Sequence, residues 1–237
     1  MSIVRGPVQS IVASPVVSAL GAGGAAFSLA DSAILWFNPY DSATVTGSSP
    51  ITSVADQGSD GGAWTPWAGT DPQTGPNLIA VGNEHAAQFD GTSNHSVEHA
   101  NPTTTVVDLF MIVRRNSGTI ANILNDDSGL RYVRVYFNGS AGNSPFGSSG
   151  SPTLYVDDVE VTSQGGFSDA LDDGNWHRCR MANMDFTTWS KLRINDDAST
   201  LNGDIATLIA LSPSDAADNL SEINTELDAM ITELEAV

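Results

Sequence analysis

The segment Val106-Val107-Asp108-Leu109-Phe110-Met111-Ile112-Val113 decides the fold class of this chain. Most of its residues are β-branched or aromatic, and these are the residue types enriched in strands. Further along, Arg131-Tyr132-Val133-Arg134-Val135-Tyr136-Phe137 at first alternates arginine with apolar residues, as a half-buried strand does. Both segments therefore predict β-structure near the middle of the chain.

Shorter strand candidates flank these two segments on either side. They are residues 34–37, 78–81 and 86–89 upstream, and residues 153–156, 159–161, 176–184, 191–194 and 205–211 downstream. Turn residues separate them at intervals of roughly 8–15 residues, and no long helical pattern alternates with them before residue 212. The sequence therefore predicts an all-β sandwich of antiparallel strands, with residues 28–237 as one body.

One helix is predicted at the end of this body, over about residues 213–235. Ser212 is a favourable N-cap, Pro213 suits the first helical position, and the charge of Asp215 favours the helix start. Apolar residues then follow at heptad spacing, at positions 216, 220, 223, 227, 230 and 234. Seven acidic residues and no Lys or Arg oppose pairing with an identical helix, so we expect Leu220, Ile223 and Leu227 to dock on the sandwich of the same chain. A coiled coil between copies is the alternative.

The chain begins with a repeated octapeptide. Ile3-Val4-Arg5-Gly6-Pro7-Val8-Gln9-Ser10 is followed by Ile11-Val12-Ala13-Ser14-Pro15-Val16-Val17-Ser18. Two prolines at one period exclude a continuous helix, so an extended apolar arm is expected. We interpret residues 1–27 as this arm and a Gly-rich linker, which serve assembly by burying apolar residues in another chain. The positions of the arm assigned to assembly are Ile3, Val4, Pro7, Val8, Ile11, Val12, Pro15 and Val16.

A secretory signal peptide is the alternative interpretation of the first residues. It needs an uninterrupted apolar core of roughly 7–15 residues, which Pro7, Gln9, Ser10, Ser14 and Pro15 interrupt. No stretch approaches the roughly 20 apolar residues that cross a bilayer, so membrane insertion is not expected.

The net charge bears on which partners the chain binds, and the cysteine content bears on disulfide formation. The chain has 28 acidic and 9 basic residues, a net charge of −19, which argues against nucleic acid and anionic membranes as partners. All the basic residues except Arg5 fall between Arg114 and Arg193. The single cysteine, Cys179, cannot form an intrachain disulfide, and a buried structural thiol is expected there.

Residues 171–181, Leu-Asp-Asp-Gly-Asn-Trp-His-Arg-Cys-Arg-Met, carry a resemblance to a known fold family. They resemble the "D-G-x-W-H-x-V" strand of concanavalin A-like and laminin G-like jelly rolls, with Cys179 at the usual Val position. In that group a hairpin leads on to a strand with a "V-D-G"-like turn, and residues 191–196 match this element with Asn195-Asp196 in place of Asp-Gly.

Upstream and downstream segments extend the resemblance over about residues 30–235. Ile34-Leu35-Trp36-Phe37 and Phe89-Asp90-Gly91-Thr92-Ser93-Asn94 are similar to the "LWLDA" and "FDGSND" elements of the group. Asp56-Gln57-Gly58 is similar to its "D-x-S-G" element, with Gly in place of Ser, and residues 203–209 resemble its closing strand. The resemblance implies an antiparallel jelly-roll sandwich of the concanavalin A-like lectin and glucanase type.

The "M-x-I-V-R" start at residues 1–5, followed by repeated Val and Pro, resembles the starts of virion proteins of tailed phages. This resemblance implies a non-enzymatic virion structural protein, whether capsid decoration, head fibre, spike or tail appendage, at the surface of the extracellular particle. Its partners would be other virion proteins and copies of itself. The alternatives are a carbohydrate-binding module for host-surface adhesion, and a secreted glycan-binding or glycan-degrading protein.

No catalytic residues are assigned. The related glucanases carry a Glu-x-Asp-x-x-Glu strand that holds both carboxylates, and the acidic cluster Asp157-Asp158-Val159-Glu160 lacks that spacing. A Gly-x-Ser-x-Gly nucleophile elbow is also missing from the sequence.

For a bound host glycan, Trp64 and Trp67 are the candidate contacts, because exposed aromatic rings stack on sugars. The alternative is that both rings cover an edge of the sandwich.

Calcium is the one cofactor for which the sequence offers candidate ligands. Asp56, Asp60, Asp90 and Asn94 are the candidate oxygen ligands, because Ca²⁺ prefers loop carboxylates and carbonyls. The alternative is that the Asp-Gly pairs only form turns.

His95 and His99 are expected to be solvated loop residues. His177 is expected to be a surface or hydrogen-bonded residue that faces away from a packing Trp176.

Overall fold

The computed structural model describes residues 27–68, 74–91, 95–99, 105–117, 120–126, 132–136, 146, 152–195 and 201–236. The assembly positions of the arm and the calcium candidate Asn94 lie outside the described residues. Strands predominate within them, and two antiparallel sheets form a sandwich, which confirms the predicted antiparallel β-sandwich. The finer jelly-roll assignment stays a prediction.

The strands follow one another from residue 35 to residue 211. In chain order they are β1 (Leu35–Phe37), β2 (Val45–Thr46), β3 (Ser53–Ala55), β4 (Ala63–Thr65), β5 (Asn77–Val81), β6 (Glu84–Asp90), β7 (Val97–His99), β8 (Val106–Ser117), β9 (Ile120–Asn125), β10 (Tyr132–Tyr136), β11 (Thr153–Val156), β12 (Val159–Val161), β13 (Trp176–Asp185), β14 (Leu192–Ile194) and β15 (Asn202–Leu211).

The described helices are short except the last. They are α1 (Leu29–Ser32), α2 (Gln164–Ala170), α3 (Pro213–Asp218) and α4 (Leu220–Leu234), with a 3₁₀ turn at Ser42–Thr44.

The strands are shared between two sheets. The first sheet has the order β12-β11-β13-β8-β15-β6-β5, and β1 pairs with the end of β15. The second sheet has the order β10-β9-β14-β7-β4-β3-β2. Chain order and sheet order differ because the chain passes repeatedly from one sheet to the other. Each sheet is therefore assembled from segments distant in sequence.

Strand β8 lies at the centre of the first sheet, between β13 and β15. Its residues Leu109 and Met111 are buried in the core between the two sheets, whereas Phe110 and Ile112 are buried on the outer face of the first sheet. Both faces of the strand are thus covered. This double burial explains why its sequence is almost continuously apolar rather than alternating.

The C-terminal helices supply the cover for that outer face. Ile223 and Leu227 of α4 are fully buried in one cluster with Phe110 and Ile112, and Leu220 is partly buried at its margin. This arrangement confirms that the apolar stripe docks on the sandwich of its own chain. The N-cap prediction also holds, because the hydroxyl of Ser212 accepts a hydrogen bond from a backbone N–H in the first turn of α3.

Helical structure covers the predicted range of about 213–235, but it is interrupted at Asn219. This residue has φ −125° and ψ 22°, outside the helical region, and separates α3 from α4. Its side-chain amide donates to the carbonyl of Asp215 at 2.9 Å. An asparagine side chain that bonds the backbone four residues earlier competes with the helical pattern.

Candidate functional site

Trp64 is a core residue. It lies in β4 between the exposed Ala63 and Thr65, and its side chain is fully buried. Its ring centroid is 5.3 Å from that of Phe37 and 5.2 Å from that of His99. The assignment of Trp64 as a sugar contact is wrong, because alternation along β4 turns the ring inward and neither face can stack on a ligand.

Trp67 follows β4 and is partly exposed. The guanidinium carbon of Arg193 lies 4.1 Å from its ring centroid, a cation–π contact. Arg193 and Lys191 each approach the carboxylate of Glu98 at 3.2 Å. Trp67 therefore belongs to a polar cluster on the second sheet and does not form an aromatic pair with Trp64. Its role in sugar binding stays a prediction.

The side chain of Asp56 is buried where the chain leaves β3. Its Oδ1 accepts hydrogen bonds from the backbone N–H groups of Trp36 at 2.7 Å and Gly58 at 2.9 Å. Its Oδ2 lies 3.2 Å from Nε2 of His99. Asp56 thus ties this loop to β1 and to β7. Nearby, partial burial and the Asp56 carboxylate raise the pKa of Asp60.

Asp90 ends β6 in the first sheet, where its Oδ1 lies 3.2 Å from Nδ1 of His95. Asp56 and Asp60 instead follow β3 of the second sheet. Within the described parts of the chain, no group of three or more His, Cys, Asp or Glu residues is arranged to hold a metal ion. The described calcium candidates are therefore not gathered into one site of that kind. Calcium binding stays a prediction.

His99 is not a solvated loop residue, and that expectation is wrong. It lies in β7 opposite Trp64, is 3% exposed, and its Nε2 is 3.0 Å from the carbonyl oxygen of Gly61. A buried imidazole needs polar partners, and here the distant residues Gly61 and Asp56 supply them. The sequence carries no local signal for this pairing, because it depends on which strands become neighbours.

His177 lies between two carboxylates. Its Nδ1 is 2.7 Å from Oδ2 of Asp157, and its Nε2 is 2.8 Å from Oδ1 of Asp173. The hydrogen bond to Asp157 is the main cause that raises the pKa of His177, and it outweighs the opposing effect of burial. The expectation of a hydrogen-bonded His177 facing away from a buried Trp176 is confirmed.

The pKa values of the two carboxylates, Asp157 and Asp173, are shifted in the opposite direction to that of His177. Burial disfavours ionised Asp157, but hydrogen bonds from His177 and from the backbone N–H of Arg178 overcome it and lower the pKa of Asp157. The backbone N–H of Asn175, followed by His177, lowers the pKa of Asp173. The cluster therefore favours an imidazolium between two carboxylates.

Arg178 joins three elements on the outer face of the first sheet. Its Nη2 donates to Oδ2 of Asp158 at 2.5 Å in the β11–β12 turn, and its Nη1 donates to the carboxylate of Asp228 in α4. Asn224 of α4 also donates to Asp158, at 3.0 Å. We call this group, Arg178 with Asp158, Asn224 and Asp228, the Arg178 clasp. It holds the turn and the helix against β13.

Asp157 and Asp158 were missed as functional candidates because neither belongs to a known chemical motif. They form the two-residue turn between Val156 and Val159, with φ +48° and +66°. Two turn-favouring residues between β-branched ones are a recognisable hairpin signal. The signal identifies the turn, but not the residues of β13 and α4 that its carboxylates contact.

Cys179 is fully buried in β13 and faces the core, where burial raises the pKa of its thiol. The expectation of a buried structural thiol is confirmed. The thiolate is the nucleophilic form of cysteine, and this environment disfavours it.

Comparisons of this chain with known proteins identify no relative. No family model, curated protein or solved structure matches the chain. Within the described residues, none of the helices is long and apolar enough to cross a membrane.

Proposed function

We propose that this chain is a non-enzymatic structural subunit of a phage particle, anchored by residues 1–27 and displaying the sandwich at the particle surface. The octapeptide repeat at residues 3–18 carries the proposal, because its skeleton Ile-Val-x-x-Pro-Val-x-Ser places apolar residues on a segment that cannot form a continuous helix. Such a segment stabilises an assembly when another polypeptide covers it.

The surface of the body supports burial of the arm in another chain. Among the residues whose side-chain exposure the structure describes, Val159 is the only large apolar residue that is exposed. The apolar face of α4 is covered by its own sheet, and the core between the sheets is closed by residues of the body itself. The described body therefore offers little apolar surface for the arm to cover.

The sandwich is proposed to be a jelly roll of the concanavalin A-like type. In support, β1, which forms the last three residues of the "LWLDA"-like segment, pairs with the closing strand β15. The "FDGSND"-like segment begins at the end of β6, where Phe89 lies opposite Gly203 of the same closing strand. Both matching segments thus meet the strand that the resemblance places last.

Deletion of residues 2–20 tests the anchoring role. We expect a soluble, folded body with an unchanged circular dichroism spectrum that no longer joins the particle. A matched control shortens only the linker at residues 21–26 and keeps the repeat, and we expect it to be incorporated. Normal incorporation of the 2–20 deletion would refute the anchoring role.

We also propose a second role, binding of a host-surface glycan by the displayed sandwich. The partly exposed ring of Trp67 beside Arg193 supports it, since an aromatic ring next to polar groups suits a sugar. Binding to host envelope polysaccharide, compared between the wild type and Trp67→Ala, tests this contact. Unchanged binding by Trp67→Ala would exclude Trp67 as the contact.

A further inference from the structure

An open trough of about 800 Å³ lies on the outer face of the first sheet, beside the start of α4. Its floor is the sheet, and its wall is the first two turns of the helix. The floor residues are Tyr155, Arg178 and Arg180, and the wall residues are Leu220, Ser221, Asn224 and Thr225. Its volume is in the range of small-molecule sites.

The trough exists because α4 covers only part of the sheet. A cross-strand row on the outer face contains Glu160, Tyr155, Arg180, Phe110 and Ile209, in that order. The helix buries Phe110 and Ile209 at one end of the row, whereas Tyr155 is only partly buried and Glu160 is exposed. The uncovered end of the row forms the floor.

Each charged side chain of the lining has an ion-pair partner. The two lining carboxylates, Asp158 and Asp228, both pair with Arg178 in the Arg178 clasp. Arg180 donates from Nε and Nη2 to the buried carboxylate of Asp108, at 3.0 and 2.6 Å. An added anion would compete with these carboxylates, and an added cation would compete with the guanidiniums. The lining therefore favours a ligand without net charge.

Several polar atoms of the trough have no hydrogen-bond partner within the described structure. Arg180 uses Nε and Nη2, which leaves its Nη1 as a donor. Asn224 uses its amide nitrogen on Asp158, which leaves its side-chain oxygen as an acceptor. The Ser221 hydroxyl can do both. Tyr155 adds an aromatic ring, with the guanidinium carbon of Arg180 5.7 Å from its centroid.

We propose that this trough binds a neutral oligosaccharide, with the ring of Tyr155 against a sugar face and Arg180, Ser221 and Asn224 bonded to its hydroxyls. Sugar hydroxyls both donate and accept, and the C–H face of a sugar ring is apolar, so they match this mixture of groups. The inference rests on the glycan-binding role proposed above and is independent of the arm.

The test measures binding of the full chain to an array of neutral oligosaccharides built from hexoses and N-acetylhexosamines. The same array carries oligosaccharides that contain uronic acids. Thr225→Trp fills the trough, and Thr232→Trp is its matched control. Both threonines are exposed on α4, and both hydroxyls donate to the carbonyl four residues earlier. Only Thr225 lines the trough. Tyr155→Leu removes the ring and keeps an apolar side chain.

We expect wild type and Thr232→Trp to bind the same neutral oligosaccharides, and Thr225→Trp and Tyr155→Leu to bind them more weakly by about tenfold or more. Binding lost in Trp67→Ala but kept in Thr225→Trp would overturn the trough and leave the glycan role standing. No binding to any arrayed glycan would overturn both. Binding only to the uronic acid-containing probes would also overturn the proposal. So would a Thr225→Trp variant that keeps its binding but changes its oligomeric state.

Discussion

The imidazole of His177 and the carboxylate of Asp157 are joined at 2.7 Å, which links β13 to the β11–β12 turn. The raised pKa of His177 means that its protonated form stabilises the fold. That stabilisation is fully present below the ordinary pKa of 6.5 and is lost as the pH rises through the raised value. The lowered pKa values of Asp157 and Asp173 add stabilisation that is lost only in acid, as the pH falls through them.

The first prediction is therefore that the melting temperature falls as the pH rises above the ordinary histidine pKa of 6.5, and that this fall depends on His177. His177→Gln should remove most of this fall, because glutamine does not titrate. Thermal unfolding at constant ionic strength measures it. The control is His85→Gln, since no ion pair to His85 is present in the described part of the chain. A fall of the same size in His177→Gln would show that the cluster is not responsible.

The second prediction concerns the docking of α4. Leu227→Asp should destabilise the whole body by about 2–4 kcal/mol, because it removes a fully buried side chain and places a charge in the outer-face cluster. Ala229→Asp adds the same charge at an exposed position of the same helix and should have little effect. Chemical denaturation measures both. If Leu227→Asp kept its stability but dissociated an oligomer, the heptad spacing would serve assembly instead.

The third prediction concerns the Arg178 clasp. Arg178→Met keeps most of the side-chain volume but removes the bonds to Asp158 and Asp228, which should weaken the docking of α4 by about 1–2 kcal/mol. Amide hydrogen exchange should then speed up in α4 and the β11–β12 turn. Arg115→Met, which removes a pair with Asp172 away from the helix, should leave exchange in α4 unchanged. Equal protection of α4 in both variants would contradict the clasp.

The fourth prediction concerns Gly82, in the turn between β5 and β6. Its φ is +56°, and a Cβ there would lie 2.3 Å from the carbonyl oxygen of Glu233 at the end of α4. Gly61 has a similar φ of +66°, but a Cβ there would meet no atom within 4 Å. Both alanine variants should lose about 1 kcal/mol to backbone strain. Gly82→Ala should lose more, since its new methyl group displaces the helix end. Equal losses in chemical denaturation would contradict this contact.

Much of the fold was predictable from the sequence because long apolar segments carry a strong signal. The segment at 106–113 is the first part of β8, the candidate at 176–184 is almost all of β13, and the one at 205–211 lies within β15. Their β-branched and aromatic residues favour strands, because such side chains pack well on a buried, pleated surface.

Weakly patterned elements were missed. Strand β9 contains two asparagines, β7 has only three residues, and the sequence of α2 contains two adjacent glycines. The structure shows what compensates in α2. The hydroxyl of Ser163 accepts from Gly166 N–H at 3.0 Å, and Phe167 is fully buried in the core. Tertiary burial thus stabilises a helix that its intrinsic propensity disfavours.

The candidate sites were harder to predict than the fold. Trp64 and Trp67 are three residues apart, yet one is in the core and the other is partly exposed. Position relative to the end of β4 decides between them, and strand ends are poorly marked in a Gly-rich segment. Tyr155 and Arg180 face each other across β11 and β13. That register depends on strand pairing, which no local pattern in the sequence specifies.

A density map of the native particle around residues 3–18 tests the central claim most directly. The account predicts that Ile3, Val4, Val8, Ile11, Val12 and Val16 contact apolar side chains of another polypeptide, either a different virion protein or a second copy of this chain. Density that places the repeat against its own sandwich, or in solvent, would contradict the anchoring role. A particle that does not contain the protein would contradict the virion assignment itself.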